Sequence, residues 1–390
     1  MKRYGFTLIA GLAALAIAGT ASAQTNIIRI TGAQANRNSL NVAIGHILNS
    51  GYLYGYAGTS LSGANQAEFR GTTIVGGFPV DIKTSLVGST GGIQDIVQNL
   101  TINSWFNATN LTSSGTPNLT GPTETALGDV SISDSFQSST LYISPILADQ
   151  VIGVTAYVPV KNAGSPSSIS NVTSLVFQAL LGAGQIPLSQ VTGLSSDEGI
   201  AVTAVGRDEN AGQRLVPFAE TGFGIFSAPF QYQPLISGTP GPSGLVTNII
   251  PWPVNTVNGV TYPVGHSGYS TGSALAAALN TPGSVAASGG WFISILSIND
   301  AASITNLGAG SLTFNGVAYT PQSVAEGKYT LWAYTHWFNR TSYSGTPKTI
   351  ADQIATQIKN VDAVQTGLLI SDMKVGRPIE GGVITFGNPY

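Results

Sequence analysis

The sequence contains no cysteine and little charge. Without cysteine, disulfides, thiolate catalysis, thiolate metal sites and the lipid-modified cysteine of a bacterial lipoprotein are excluded. Only 8% of the residues are charged, against about 25% in an average protein. There is no basic stripe, so no nucleic-acid partner is predicted. Beyond the N-terminus, no apolar run approaches the ~20 residues that a membrane-spanning helix needs.

Histidine is scarce as well. His46, His266 and His336 are the only ones, and none has a second histidine three or four residues away. This spacing does not fit a metal-binding helix. We therefore predict neither a metal nor a cofactor.

The first 23 residues are typical of a secretory signal peptide. Lys2 and Arg3 precede an apolar stretch at 6–18, and a small-residue cleavage site (ASA, 21–23) comes before Gln24. Residues 5–9 (GFTLI) also resemble a prepilin cleavage site, but the usual acidic residue is missing and the apolar run ends too soon. Removing the leader takes two of the 15 basic residues and leaves 13 against 18 acidic ones, a net charge near −5. A periplasmic or secreted protein is expected.

The mature chain is long enough for two domains, since single cores stop growing at about 250–300 residues. It repeats one arrangement: a short apolar strand, a polar turn and a helix. Residues 26–30 lead to a helix near Ser39, residues 80–86 lead to another, and residues 201–220 follow the same order. In open α/β sheets, ligands bind where such strands end and helices begin.

The third turn concentrates the charge of the chain. Four of the eight residues at 207–214 are charged. Unpaired N–H groups at a helix N-terminus attract anions, and the planar guanidinium of Arg207 matches phosphate or carboxylate. A further strand end at 125–133 carries Asp129. These features together predict an anion site.

Four turns carry a resemblance to a known family. Residues 31–37 (TGAQANR), 88–93 (GSTGGI), 128–132 (GDVSI) and 207–213 (RDENAGQ) align in order with TGAGATF, GSSGG[IV], SDAPL and RxDGSGT. These are motifs of the phosphate-binding periplasmic proteins that feed ABC importers. The sequence resembles that family over most of the mature chain.

The resemblance implies an α/β protein of the two-lobed type 2 periplasmic binding architecture, in which two crossover strands join lobes built from a central sheet flanked by helices. Residues 24–155 would form the first part of lobe 1, 156–298 lobe 2, and 299–390 the completion of lobe 1. The apolar stretches 151–160 and 291–298 are the expected crossover strands.

The resemblance also implies ligand-binding residues. Ser89 would offer a hydroxyl and an N–H group, and Arg207 the strong counter-charge. Asp129 would repel any anion that lacks a proton, so it would accept phosphate and reject sulfate. The full implied set is Asn36, Arg37, Ser89, Asp129, Arg207, Ala211, Gly212 and Gln213.

Some of these residues depart from the family pattern. Ala211 lacks the hydroxyl of the family's serine, Gln213 replaces a hydroxyl with an amide, and Arg37 stands where the family has an aromatic ring. A different oxyanion or a larger phosphorylated ligand therefore stays open. Asp129 and Ser89 could also serve only as turn or helix caps.

The expected function is that of an exported solute-binding protein for phosphate or a related oxyanion, a monomer without chemistry of its own, with the membrane permease of an ABC importer as its implied partner. One alternative is a serine hydrolase. Residues 268–272 (GYSTG) fit the G-x-S-x-G motif around Ser270, and Asp300 and His336 follow in the order of a triad. The other is a surface or filament component without a small-molecule ligand.

Overall fold

The computed structural model describes residues 25–101, 104–306 and 309–390; the predicted signal peptide lies outside them. The α-helices are α1 (Arg37–Ile47), α2 (Ser89–Gln98), α3 (Ser174–Ala183), α4 (Ser189–Thr192), α5 (Gly212–Glu220), α6 (Gly272–Leu279), α7 (Val285–Ser288), α8 (Ile298–Ala302), α9 (Pro321–Ala325) and α10 (Gly345–Asn360). Across the described ranges, none of the helices combines the length and the apolar composition needed to cross a membrane.

The strands, in chain order, are β1 (Asn26–Gly32), β2 (Leu53–Tyr56), β3 (Gln66–Thr72), β4 (Pro79–Ser85), β5 (Ser104–Phe106), β6 (Thr123–Thr125), β7 (Val130–Ser133), β8 (Ala148–Lys161), β9 (Asn171–Val172), β10 (Gln185–Pro187), β11 (Ala201–Ala204), β12 (Tyr232–Ser237), β13 (Leu245–Pro251), β14 (Asn255–Val257), β15 (Val260–Tyr262), β16 (Gly290–Ser297), β17 (Gly310–Ser311), β18 (Thr313–Phe314), β19 (Trp332–Asn339), β20 (Gly367–Leu368), β21 (Val375–Gly376) and β22 (Thr385–Phe386).

One mixed sheet organises the molecule, in the order β10-β11-β16-β8-β19-β7-β1-β4-β3-β2. Strands β4, β1 and β7 run parallel to one another, and β11 runs parallel to β16. Below, β1, β2, β3, β4 and β7 are called the first half-sheet, and β10, β11 and β16 the second. Strands β8 and β19 lie antiparallel between them. The predicted α/β class is therefore confirmed.

The central strand β8 contains the predicted crossover stretch 151–160. Every residue of that stretch is buried, as expected for a strand that is covered on both faces. The stretch 291–298 falls largely in β16, which lies between β11 and β8. Strand β19 pairs with the other edge of β8 and reaches β7, so β19 also fits the role of the return strand. Both stretches are apolar, so composition alone could not separate a half-sheet strand from a crossover strand. The lobe boundaries stay a prediction.

Each half-sheet has its own apolar core. In the first, α1 and α10 pack their aliphatic faces on the sheet, with Leu40, Ile44 and Ile354 fully buried. In the second, helices including α3, α5 and α6 cover β11 and β16, and Leu180 and Leu275 are fully buried. A fully buried side chain of this size stabilises the fold by about 1.5–3 kcal/mol. The two-lobed character follows from these separate cores on one shared sheet.

The proline-rich stretch 225–263, which sequence patterns do not resolve, forms two hairpins, β12–β13 and β14–β15. The second hairpin turns at Asn258 and Gly259, both with positive φ (50° and 81°). Asn-Gly is the residue pair that such a tight turn favours.

Much of the scarce charge lies inside the protein. Lys83 is 1% exposed, and its Nζ lies 2.9 Å from Glu124 Oε1. Within the described residues, twelve charged side chains are buried: Arg37, Glu68, Asp81, Lys83, Asp95, Asp134, Arg207, Asp208, Asp300, Asp362, Arg377 and Glu380. Buried charge is tolerated when it is paired or hydrogen-bonded.

Candidate functional site

The carboxyl ends of the parallel strands meet at one edge, as doubly wound sheets require. Asn36 and Arg37 follow β1, and Ser89 begins α2 shortly after β4. From the second half-sheet, Arg207 follows β11 and Asp300 follows β16. These residues are buried and meet where the two half-sheets face each other, in a region called the cleft below.

Arg207 connects the two sides of this cleft. It is 4% exposed. Its Nη2 donates to Gln34 Oε1 of the first half at 3.1 Å and to the Ser270 carbonyl at 2.8 Å. Its Nε donates to the Tyr269 carbonyl at 2.8 Å, and Nη1 lies 3.4 Å from Gln213 Oε1. Burial lowers the pKa of Arg207, which nearby carboxylates oppose, and an arginine keeps its charge in proteins.

The N-terminus of α5 approaches the first half closely at Gly212. A Cβ atom there would lie 1.7 Å from Asp134 Oδ1 and 2.7 Å from Ser89 Oγ. Only glycine leaves room for this contact. On the neighbouring turn, the Asn210 carbonyl accepts hydrogen bonds from the N–H groups of Thr90 (3.0 Å) and Gly91 (3.3 Å) at the start of α2. The two helix starts therefore face each other across the cleft.

The acid that lies beside Ser89 and Gly212 is Asp134, whereas the predicted Asp129 lies at the other end of β7. Asp129 precedes β7 and accepts the Arg29 N–H at 2.9 Å, whereas Asp134 directly follows this strand. Five residues of extended chain separate them by roughly 16 Å, so Asp129 lies at the opposite edge of the sheet. The sequence offered a signal for the correct position: residues 133–136 (SDSF) place a Ser-Asp pair after the apolar strand.

Asp134 is buried and is held from two sides. The Ser89 hydroxyl and the Tyr157 phenol, the latter from β8, both donate to its carboxylate. Burial raises the pKa of Asp134, while these two hydrogen bonds oppose the rise. Asp134 therefore faces the cleft as an acceptor with an increased affinity for a proton.

Asn36 and Arg37 leave two buried donors without a partner. Asn36 Oδ1 accepts from the Thr155 and Thr335 hydroxyls at 3.0 and 3.3 Å, and Arg37 Nη2 donates to Asp300 Oδ1 at 2.7 Å. Asn36 Nδ2 and Arg37 Nε are buried and have no hydrogen-bond partner. Such groups are rare because each one costs desolvation free energy. Asp300, which sequence reasoning assigned to a triad, is the ion-pair partner of Arg37.

Ala211 and Gln213 flank Gly212 in different roles. Ala211 is the N-cap residue of α5, makes no side-chain hydrogen bond and is 3% exposed. Gln213 Nε2 donates to the Ile295 carbonyl at 2.8 Å, which fixes the amide whose oxygen faces Arg207. Seven of the eight predicted residues thus surround the cleft, and Asp129 does not.

Asp208 adds a second carboxyl group behind Arg207. Burial raises its pKa to about 6, although the Arg207 charge acts in the opposite direction. Of Arg37 and Arg207, only Arg207 then lacks a carboxylate hydrogen-bond partner, and the carboxyl group at the contact between the halves, Asp134, has a raised pKa. This arrangement can hold an oxyanion that carries a proton.

The hydrolase arrangement is not assembled. No strand lies directly before Ser270, since β15 ends at Tyr262, whereas the motif requires one. His336 is fully buried, and its Nδ1 lies 3.0 Å from both carboxylate oxygens of Asp149. Asp300 is engaged by Arg37. Within the residues described, no group of three His, Asp or Glu side chains could hold a metal ion.

No protein-family model and no curated protein matches the sequence. Solved structures similar to this chain include a phosphate ABC transporter substrate-binding protein with bound phosphate from Clostridium perfringens, at 11% identity and TM-score 0.49, covering 88% of this chain and 99% of that chain. An ABC-type phosphate transport receptor from Vibrio cholerae has 12% identity, TM-score 0.46 and the same coverage. PstS from Borrelia burgdorferi has 13% identity and TM-score 0.40, covering 88% of this chain and 98% of that chain. At these identities the likeness concerns the fold.

Proposed function

We propose that this chain is an exported solute-binding protein that holds phosphate, or a similar oxyanion carrying a proton, in the cleft between its two lobes. The observation that carries the proposal is the pair of buried donors without acceptors, Asn36 Nδ2 and Arg37 Nε. Both lie on the first turn of the cleft, next to the Gln34 residue that contacts Arg207. An oxyanion would supply the missing acceptors.

Asp134 supports selectivity for a protonated anion. A carboxylate repels a neighbouring oxyanion unless the ligand donates a proton to it. Phosphate carries such a proton at neutral pH, and sulfate does not. The hydrogen bonds that Ser89 and Tyr157 donate to Asp134 hold its carboxylate in place for this role.

The wider role follows from the binding role. The mature protein is expected in the periplasm or outside the cell, as a monomer that passes its ligand to the membrane permease of an ABC importer and performs no chemistry. Closure of the two lobes about the central strands would be the step that the permease recognises. N-terminal sequencing of the exported protein should begin at Gln24, and light scattering should give the mass of one chain. A filament subunit would give a larger mass.

Calorimetric titration tests the binding role. The mature protein is stripped of ligand by partial unfolding, refolded, and titrated with phosphate and sulfate in parallel. We expect heat with phosphate alone and none with Arg207→Ala. Arg340→Ala is the matched control, because Arg340 donates to the Gly128 carbonyl at the opposite edge of the sheet (2.7 Å).

Circular dichroism must show that Arg207→Ala folds; Arg207→Lys replaces it if it does not. The absence of heat with both anions in the wild-type protein would overturn the proposed function. So would equal heat from both anions, since Asp134 would then exert no selection.

A further inference from the structure

A groove of about 360 Å³ opens beside the cleft. It is formed by both halves: Thr90 and Tyr142 line it from the first, and Ala211, Phe218 and Phe226 from the second. Thr90 directly follows Ser89, and Ala211 directly precedes Gly212. The groove therefore begins at two residues that adjoin the proposed oxyanion site. Its volume is in the range of small-molecule sites.

The walls of the groove are largely apolar and carry little net charge. Aromatic rings come from Tyr142, Phe218, Phe226 and Tyr262. The two charged residues in the wall, Arg214 and Glu209, neutralise each other through a contact of 2.7 Å. A wall rich in rings, with its one arginine already paired, suits an apolar, ring-sized group better than a second anion.

The β14–β15 hairpin forms one wall of this groove and contacts the first half. Val257 and Val260 line the groove. At the turn between them, Asn258 Nδ2 donates to Gln94 Oε1 of α2 at 2.7 Å and to Asn210 Oδ1 at 2.8 Å. The hairpin therefore contacts both sides of the cleft, and closure of the cleft would also close the groove.

Ala211 shapes the junction between groove and cleft. The methyl group of this buried residue stands where a serine would place a polar hydroxyl. A polar group there would need a hydrogen-bond partner, whereas the methyl group continues the apolar wall up to the start of α5.

We infer that the ligand of this protein is a phosphate monoester, bound with one proton left on its phosphate, whose apolar, ring-sized group lies in the groove while the phosphate occupies the cleft. This inference rests on the proposed function, since the cleft must bind the phosphate group. It adds that the organic group, and not phosphate alone, is recognised.

The test compares inorganic phosphate, methyl phosphate and phenyl phosphate by calorimetry on the ligand-free mature protein at pH 5, where a monoester, with a second pKa of about 6, still carries the proton that Asp134 requires. We expect phenyl phosphate to bind at least about tenfold more tightly than methyl phosphate, because the ring becomes buried. The readout is the ratio of these two dissociation constants. Phe226→Ala removes a ring from the wall and Val260→Trp fills the groove, so both should reduce the ratio severalfold.

Phe386→Ala is the matched control. Phe386 is 99% exposed and lies outside the groove, so the ratio should not change. If inorganic phosphate binds and phenyl phosphate gains nothing over methyl phosphate, the inference is overturned and the proposed function stands. If phenyl phosphate keeps its full advantage over methyl phosphate in both Phe226→Ala and Val260→Trp, the inference is also overturned. Silence with inorganic phosphate overturns the proposed function itself, whatever the two esters do.

Discussion

Glu380 Oε1 accepts a 2.6 Å hydrogen bond from the backbone N–H of Phe136. Its other oxygen accepts from the Ser139 hydroxyl at 2.5 Å, so Glu380 holds the turn that follows Asp134. Three residues earlier, Arg377 Nη1 donates to Glu220 Oε2 at 2.8 Å, at the end of α5. One short segment near the C-terminus thus contacts both the first half of the cleft and the helix that faces it.

Glu380→Gln should loosen the turn after Asp134. The substitution keeps the size of the side chain but removes the charge that strengthens both hydrogen bonds. We expect the Phe136 amide to exchange its hydrogen about tenfold faster, as measured by mass spectrometry or NMR. Glu326→Gln, at a residue that pairs with Lys328 and Lys374 away from this turn, should leave that exchange unchanged. Equal protection in both variants would show that Glu380 does not stabilise the turn.

Asp134→Asn should weaken the discrimination between phosphate and sulfate. The amide can donate a hydrogen bond and no longer repels a fully ionised anion. We expect the affinity for sulfate to rise by about tenfold or more relative to that for phosphate. Asp129→Asn at the other end of β7 should not change this ratio. If the ratio of the phosphate and sulfate affinities changed only in the Asp129 variant, Asp129 would be the selective acid, as the sequence alignment predicts.

Gly212→Ala should destabilise the protein. The new methyl group would overlap Asp134 Oδ1 and crowd Ser89 Oγ, and overpacking of this kind costs about 1–3 kcal/mol. At Gly199, the added atom would meet nothing within 4 Å, and no positive φ constrains the residue. Urea unfolding should therefore separate Gly212→Ala from Gly199→Ala, which should stay within about 0.5 kcal/mol of the wild type. Equal stabilities would mean that α5 can move away at no cost.

Asp208→Asn should change how stability depends on pH. Burial raises the pKa of Asp208 to about 6 from an ordinary value of 3.8, so the native state binds this proton more tightly than the unfolded chain does. The resulting stabilisation is complete below pH 4 and is lost as the pH rises through about 6. The loss is on the order of 3 kcal/mol. The asparagine variant should lack this component, so its free energy of unfolding, measured in urea, should gain on the wild type between pH 4 and pH 7. A constant difference across that range would contradict the raised pKa.

The fold was largely predictable because its elements have strong local signals. The alternation of apolar strands, polar turns and amphipathic helices predicted β1, β4 and the start of α1 within a few residues. The glycine-rich turn at residues 88–92 likewise predicted the start of α2. Sequence order also predicted that the turns meet at one edge, because parallel strands impose that geometry.

The errors arise because the local sequence shows neither how far along a strand a motif lies nor which strands become its neighbours. Asp129 and Asp134 both lie beside β7, and a motif five residues away on the same strand reaches the opposite edge of the sheet. The same limit applies to β16 and β19, two apolar strands that differ only in their neighbours. Ion pairs between residues that are far apart in the sequence, such as Arg37 with Asp300, leave no pattern in the local sequence.

The burial of charge described above also concerns the protein in solution. Twelve of the 31 charged side chains of the mature chain are buried, which leaves more of the outer surface to hydroxyl and amide groups that bind water without creating a long-range field. The net charge near −5 then gives weak repulsion between two molecules that meet in solution, and added salt screens it further.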